Sequence, residues 1–248
     1  KFGIFVESEI WPNLICSAKE KKIPLYLVQA RFSEKTLNSW KYFSRYFKSI
    51  LNNFDLIIAQ SEIEKNKILS YTGISVNAVA NLKLNSNKLK TNKKELSCIK
   101  KKIVGYNVIT ALSTHPGEEK ILINNFRRLK INNKKLILML QPRHPVRSKE
   151  ITNLIKSYNL SFKTKSLMEY PDSKTDIYIF DTFGESGNLI SVSDIIILGG
   201  TLMPVGGHNI IEPAQFGKCL ISGEYYFKLN DIMKLFIDKN AAITTKNI

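Results

Sequence analysis

The chain has three histidines, and each stands in a polar, turn-rich segment: His115 in STHPGEE, His144 in QPRHP and His208 in GGHNIIEP. Imidazole is the side chain best suited to holding or sharing a proton near neutral pH. Each segment follows directly on a short apolar run, so all three histidines sit where a strand delivers its loop. One such residue alone would be an ordinary loop histidine; three of three point to a shared site. The segment GGTLMPVGGHNIIEP (199–213) pairs glycines at 199–200 and 206–207, then offers His208, Asn209 and Glu212 in the first turn of an expected helix. Paired glycines let backbone approach a ligand closely, and a glutamate there can accept hydrogen bonds from ribose hydroxyls. A flexible loop leading into a helix whose acid complements the dipole is the competing account.

DTFGES (181–186) has the same logic one unit earlier: a strand end feeds Phe183, Gly184 and Glu185 into a helix start, where free N–H groups can hold a phosphate. It is not a P-loop, because GxxxxGK[ST] is absent. Pro142 and Arg143 in QPRHP leave the preceding strand at the same edge, and the guanidinium could serve a phosphate or a base. ESEIWPN (7–13) places Glu7 and Glu9 after the opening strand, in reach of acid–base or electrostatic work, although Glu9 could equally be a helix-start residue and Trp11 a core residue. Lys83 in ANLKLN could stabilise charge on a departing phosphate.

These segments need a sheet edge to gather them. Runs rich in β-branched and aromatic residues at 2–7, 23–30, 55–60, 75–80, 107–113, 135–141, 176–182, 195–200, 218–222 and 241–245 alternate with helix-length amphipathic segments. That alternation predicts an α/β fold with parallel sheets, whose ligands bind at the carboxyl ends of the strands. Ser61-Glu62-Ile63-Glu64 reads as a capping box, Pro12 as a first-turn proline and Gly73 as a helix stop. Between 84 and 102 the pattern lapses into a stretch dense in Lys and Asn, read as the link between two domains.

The net charge of +16 calls for an anionic partner, but 31 of the 37 basic residues are Lys, which argues against nucleic-acid recognition, a task that concentrates Arg. Cys16, Cys98 and Cys219 lie far apart with no CxxC or Cys/His spacing, so neither a zinc site nor a disulfide framework is expected. No run approaches the roughly 18 apolar residues of a membrane span.

Taken in order, ESEIWPN, ANLKLN, ALSTHPGEE, QPRHP, DTFGES and LGGTLMPVGGHNIIEPA resemble the signature stretches of the transferases that move 3-deoxy-D-manno-octulosonic acid (Kdo) from CMP-Kdo to the lipid A precursor of lipopolysaccharide. The likeness runs over essentially the whole chain, and PRHP combined with GGHNxxE is its most specific part. It implies a glycosyltransferase B fold, two Rossmann-like domains facing a cleft: 1–100 as the remainder of the acceptor-binding domain and 101–248 as the CMP-Kdo-binding domain. It further implies that Pro142, Arg143, Phe183, Gly184, Glu185, Asn209, Ile210, Ile211 and Glu212 hold CMP, with Glu212 on the ribose. Glu7 and Lys83 would stabilise the transition state of a metal-independent displacement without cofactor, while His115 and His208 line the cleft. The implied partners are CMP-Kdo, the lipid A precursor and the anionic cytoplasmic face of the bacterial inner membrane, with no nucleic acid.

There are departures. The family's N-terminal membrane anchor and the glutamate acting as general base find no counterpart, and the closing C-terminal helices look short, so the chain reads as truncated at both ends. Asn85 stands for a usual Asp, Ala80 for a Gly, and Ser186 for a Leu, which would weaken helix packing but spare the phosphate site. A non-catalytic remnant that binds CMP or acidic lipid, and another glycosyltransferase B-type enzyme such as a sugar-nucleotide epimerase, are the alternatives.

Overall fold

The computed structural model describes residues 1–246, with the side chains of Lys83 and Asn85 outside what is described. The chain divides into two compact units, Lys1–Ser86 and Asn87–Ile248. The boundary thus falls earlier than the residue 100 expected from composition. The lysine-rich stretch read as linker contains a helix, Lys93–Lys102, whose Ile99, with Ile103 just after it, is buried in the core of the second unit. Asn92 caps it by accepting hydrogen bonds from the N–H groups of Lys94 and Glu95 at 3.1 and 3.3 Å.

The first unit is a four-stranded parallel sheet in the order β1 (Gly3–Val6), β2 (Leu25–Ala30), β3 (Leu56–Ala59), β4 (Ala78–Val79). Its core lies on one face, where Leu25, Leu27, Ile57 and Ala59 meet Ile15, Phe47, Ile50 and Ile68 of the helices. On the other face Phe2, Ile4 and Val6 are exposed. Pro12 opens helix Pro12–Glu20 as expected, and Gly73, at φ 68°, ends helix Glu62–Thr72. Ser61 accepts from the Glu64 N–H at 3.2 Å, but the Glu64 carboxylate does not complete a capping box. It turns instead to the Phe32 N–H at 3.0 Å and to Lys67, fastening the helix to the end of β2.

The second unit is a seven-stranded parallel sheet in the order β11 (Ala242–Thr244), β10 (Cys219–Ser222), β9 (Ile195–Leu198), β5 (Asn107–Thr114), β6 (Leu136–Pro142), β8 (Ile177–Ile179), β7 (Phe162–Thr164). Among the described residues, ten of the eleven strands were legible in the sequence; β7 was not. Every residue of β6 is buried, the mark of a parallel strand covered on both faces. Period-two alternation sorts the faces: Ile137 and Met139 join Tyr178, Phe180, Ile196 and Leu198 on one, while Leu136, Leu138 and Leu140 join Ile177, Ile179 and Ile197 on the other. Each such side chain contributes about 1.5–3 kcal/mol of burial. The chain runs outward from β5 to β6 and beyond, then returns to β9 on the opposite side of β5. That reversal is a topological switch point, where the loops at the carboxyl ends part and leave a crevice.

Candidate functional site

The crevice is built from the loops after β5, β6, β8 and β9. Two contiguous hollows occupy it, of about 300 and about 250 Å³. Ser113, Gln141, Arg143, Ser186 and Glu212 line both. The first extends to Pro142, Phe183 and Gly184; the second to Gly199, His208 and Asn209. Most of the residues expected to bind CMP are therefore brought together within one unit.

The local chemistry explains each placement. The Arg143 N–H donates to the Thr114 carbonyl at 3.0 Å, which fixes the backbone under an exposed guanidinium. Gly184 has φ 78° and open space where a Cβ would point, so the loop before helix Ser186–Val192 presents bare backbone to the hollow. Ser186, expected only to weaken a helix, accepts a hydrogen bond from Gln141 Nε2 at 2.8 Å and forms part of the wall. Ser113, Gln141 and Ser186 were not assigned a site role from the sequence; all three stand in the quoted motifs, but only the fold shows that they meet.

Glu185 points elsewhere: its carboxylate accepts from Thr182 Oγ1 at 2.7 Å and lies 3.8 Å from Lys165. Lys165, on the turn after β7, is itself paired with buried Glu95, which also accepts from Asn188 Nδ2 at 2.8 Å. The expected helix at 208–213 is shorter than foreseen, Ile211–Ala214, so His208 and Asn209 precede it. Asn209 uses its Oδ1 to accept from the Ile211 N–H at 3.0 Å, and Glu212 alone sits in the first turn. The side chains of Ile210 and Ile211 are core, leaving only their backbone for a ligand.

His115 and His208 stack with ring centroids 4.9 Å apart and Nε2 atoms 2.6 Å apart. Beneath them lies Glu118, fully buried, whose carboxylate accepts the N–H groups of His115 and Gly200 at 2.8 Å and of Leu202 at 2.9 Å. One carboxylate thus clamps the loop after β5 to the loop after β9. Its neighbour Glu119 accepts from Thr114 Oγ1 and holds Arg147 in a two-pronged ion pair at 2.7 and 3.1 Å. Burial, then His115, Arg143, Lys228 and His144, push His208 down to about pH 4. Burial also lowers His115, with Glu118 opposing.

A folded-state value below the ordinary 6.5 means that the unfolded chain takes up a proton which the folded chain refuses. The stability contributed by the neutral ring is complete above about 6.5 and is lost as pH falls toward about 4. Between pH 7 and 5 the wild type should lose about 1 kcal/mol more than His208→Gln, the ideal linkage figure being halved for solvent screening. Urea unfolding at both pH values measures this; equal losses would refute it.

In the first unit, Glu7 stands at the end of β1 in a left-handed conformation, φ 58°, with its N–H on the Val28 carbonyl at 3.0 Å. Glu9 accepts from Trp11 Nε1 at 3.0 Å, and Trp11 is exposed, not core. Lys83 lies in the 3-10 turn Leu82–Asn85, its side chain outside the described residues. The turn is held by Gln29, buried at the end of β2, whose amide bonds Asn81 Oδ1 at 3.0 Å and the Leu82 N–H at 2.8 Å. Among the described residues no group of three His, Cys, Asp or Glu could hold a metal ion.

Residues 1–86 match the family model for 3-deoxy-D-manno-octulosonic-acid transferase (kdotransferase). The 3-deoxy-D-manno-octulosonic acid transferase of Rickettsia felis is 40% identical over 249 residues, covering 99% of this chain and 52% of that protein. Over nearly its whole length the chain is similar to Kdo transferases, and its first 86 residues carry the match to that family's model. It spans about half the length of the curated relatives it matches. Among solved structures, the C-terminal CMP-Kdo binding domain of WaaA from Acinetobacter baumannii is 29% identical with a TM-score of 0.60, covering 62% of this chain and 81% of that one. A glycosyltransferase from Rickettsia africae, 15% identical, matches with a TM-score of 0.57 over 95% of this chain and 65% of its own length. The latter likeness concerns fold alone, and with it the two Rossmann-like units are those of the glycosyltransferase B fold, as the family resemblance implied.

Proposed function

We propose that the second unit binds CMP-Kdo and that the chain carries the donor half of a Kdo transfer to the lipid A precursor. The observation that carries this is the first hollow, where an exposed cation, bare glycine backbone and a carboxylate converge: Arg143, Gly184 and Glu212. Those are the groups a nucleotide asks for, a phosphate partner, close backbone and a ribose acceptor. The likeness to a domain described as CMP-Kdo binding supports cytidine over other bases.

In this reading the chemistry is displacement at the anomeric carbon, with CMP leaving toward Arg143 and the Gly184 loop. Glu7 and Lys83 of the first unit stabilise charge in the transition state, and the acceptor hydroxyl gives its proton to a general base. The acceptor is a phosphorylated lipid at the cytoplasmic face of the inner membrane, a partner to which a net charge of +16 is suited. No helix of the described residues is long and apolar enough to cross a membrane.

Equilibrium binding of CMP, UMP and AMP tests the reading. The wild type should prefer CMP, and Arg143→Ala and Glu212→Ala should each weaken it by about tenfold or more, the loss of one charge-assisted contact. A folded chain with no preference for CMP, or one preferring UMP, would overturn it.

A further inference from the structure

The donor in the proposed reaction carries two anions, a phosphate and the carboxylate of its acid sugar, and the crevice has two hollows. Arg143 and Gly184 serve the first. The second is lined by Ser113, Gly199, His208, Asn209, Arg143 and Glu212. The largest electrostatic influences on His208 come from His115, Arg143, Lys228 and His144, every one a base. The nearest buried acid, Glu118, spends its oxygens on three backbone N–H groups.

The ring geometry is specific. Two imidazole Nε2 atoms 2.6 Å apart must share one proton, so one ring donates and the other accepts. The Cδ2–Nε2 edge of His208 packs against Gly200, where an added Cβ would come within 3.2 Å of both atoms. Its opposite edge, carrying Nδ1, is the one left to the hollow, and among the described residues Nδ1 bonds to nothing. If His115 donates the shared proton, neutral His208 must carry its own proton on Nδ1, aimed at the hollow as a hydrogen-bond donor.

We propose that His208 Nδ1–H, set in that tautomer by His115 and flanked by Arg143, receives the carboxylate of the donor's acid sugar. His115 is a positioning residue, and His208 is the group that distinguishes an acid sugar from a neutral one. The proposal rests on the nucleotide-sugar reading above, but its test separates the two. An incoming carboxylate meets Glu212 on the same wall, where Arg143 opposes that charge and the ribose occupies its oxygens. A neutral imidazole donor suits this place better than a second fixed cation, because it adds no charge to an already basic pocket when the site is empty.

Binding of Kdo and of its neutral methyl ester should be measured with and without saturating CMP, for wild type, His208→Ala and His208→Gln. Wild type should prefer the acid over the ester by about tenfold, the worth of one charge-assisted hydrogen bond. His208→Ala should bind both alike, and His208→Gln, which retains an N–H donor, should keep part of the preference. CMP affinity should stay within about twofold in both variants, which also shows that they fold. Nitrogen-15 shifts should place the His208 proton on Nδ1 in the wild type and divide it between the two nitrogens in His115→Ala. Equal binding of acid and ester by wild type, no Kdo binding, or a preference that survives in His208→Ala would overturn the proposal. A chain that ignores CMP yet prefers the acid through His208 would support it while overturning the nucleotide assignment.

Discussion

Replacing Glu118 by alanine should lower the stability of the chain by about 3 kcal/mol and abolish ordered packing of the His115–His208 pair. The carboxylate is fully buried and is the acceptor for the N–H groups of His115, Gly200 and Leu202. Removing it leaves three donors without partners, that of Gly200 buried and those of His115 and Leu202 part-buried, each costing about 1–3 kcal/mol, less whatever water enters the space. Glu118→Gln is the sharper test. An amide has one oxygen for the two donors at Oε2 or the one at Oε1, and its NH2 must face an N–H elsewhere, so about half the loss should persist. Urea unfolding reads the stability, and the histidine proton resonances read the pair. A glutamine variant as stable as wild type would show that the clamp contributes no net stability.

Gly199→Ala should be worse, about 4 kcal/mol or failure to fold. A Cβ there would lie 2.3 Å from the carbonyl oxygens of both Leu112 and Ser113, and these belong to the central strand of the sheet. Backbone cannot yield as a flexible side chain does, so β9 must separate from β5. Gly223→Ala should behave similarly, its Cβ meeting the Thr201 oxygen at 2.1 Å. Gly217→Ala is the control: unlike the other two it has positive φ, 66°, but nothing lies within 4 Å, so only the left-handed backbone is strained, at about 1 kcal/mol. Thermal unfolding of the three variants ranks them; Gly199→Ala no worse than Gly217→Ala would refute the close approach.

What the sequence disclosed and what it withheld follow from the range of the interactions involved. Strands declare themselves through runs of β-branched residues, so β1 to β6 and β8 to β11 were legible. β7, only Phe162–Thr164 with a lysine in the middle, has too few residues to show a period. Helix Lys93–Lys102 was masked by its own lysines, although Leu96, Ile99 and Ile103 recur at helical spacing. The site motifs were visible because glycine, arginine and histidine at strand ends are unusual locally. The partners that give them meaning lie far off in sequence: Glu118 reaches Gly200 and Leu202, Gln141 reaches Ser186, and Gln29 reaches Asn81. For the same reason nothing in the local spacing of Glu118 and Glu119 marks them as two buried anchors. Glu64 shows the converse error, a local capping box expected and a long-range bond to Phe32 found.

The clamp at Glu118 also determines when the crevice acquires its shape. Its three hydrogen bonds form as the sheet assembles, so the loops after β5 and β9 are set before any donor arrives. Ordering them is a cost met by folding rather than by binding, and little of the donor's interaction energy is diverted into arranging the walls. A rigid mould of this kind discriminates by fit rather than by adjustment. New donor preferences in such a scaffold should therefore arise by exchanging the side chains that face the hollow, with the loops themselves left as they are.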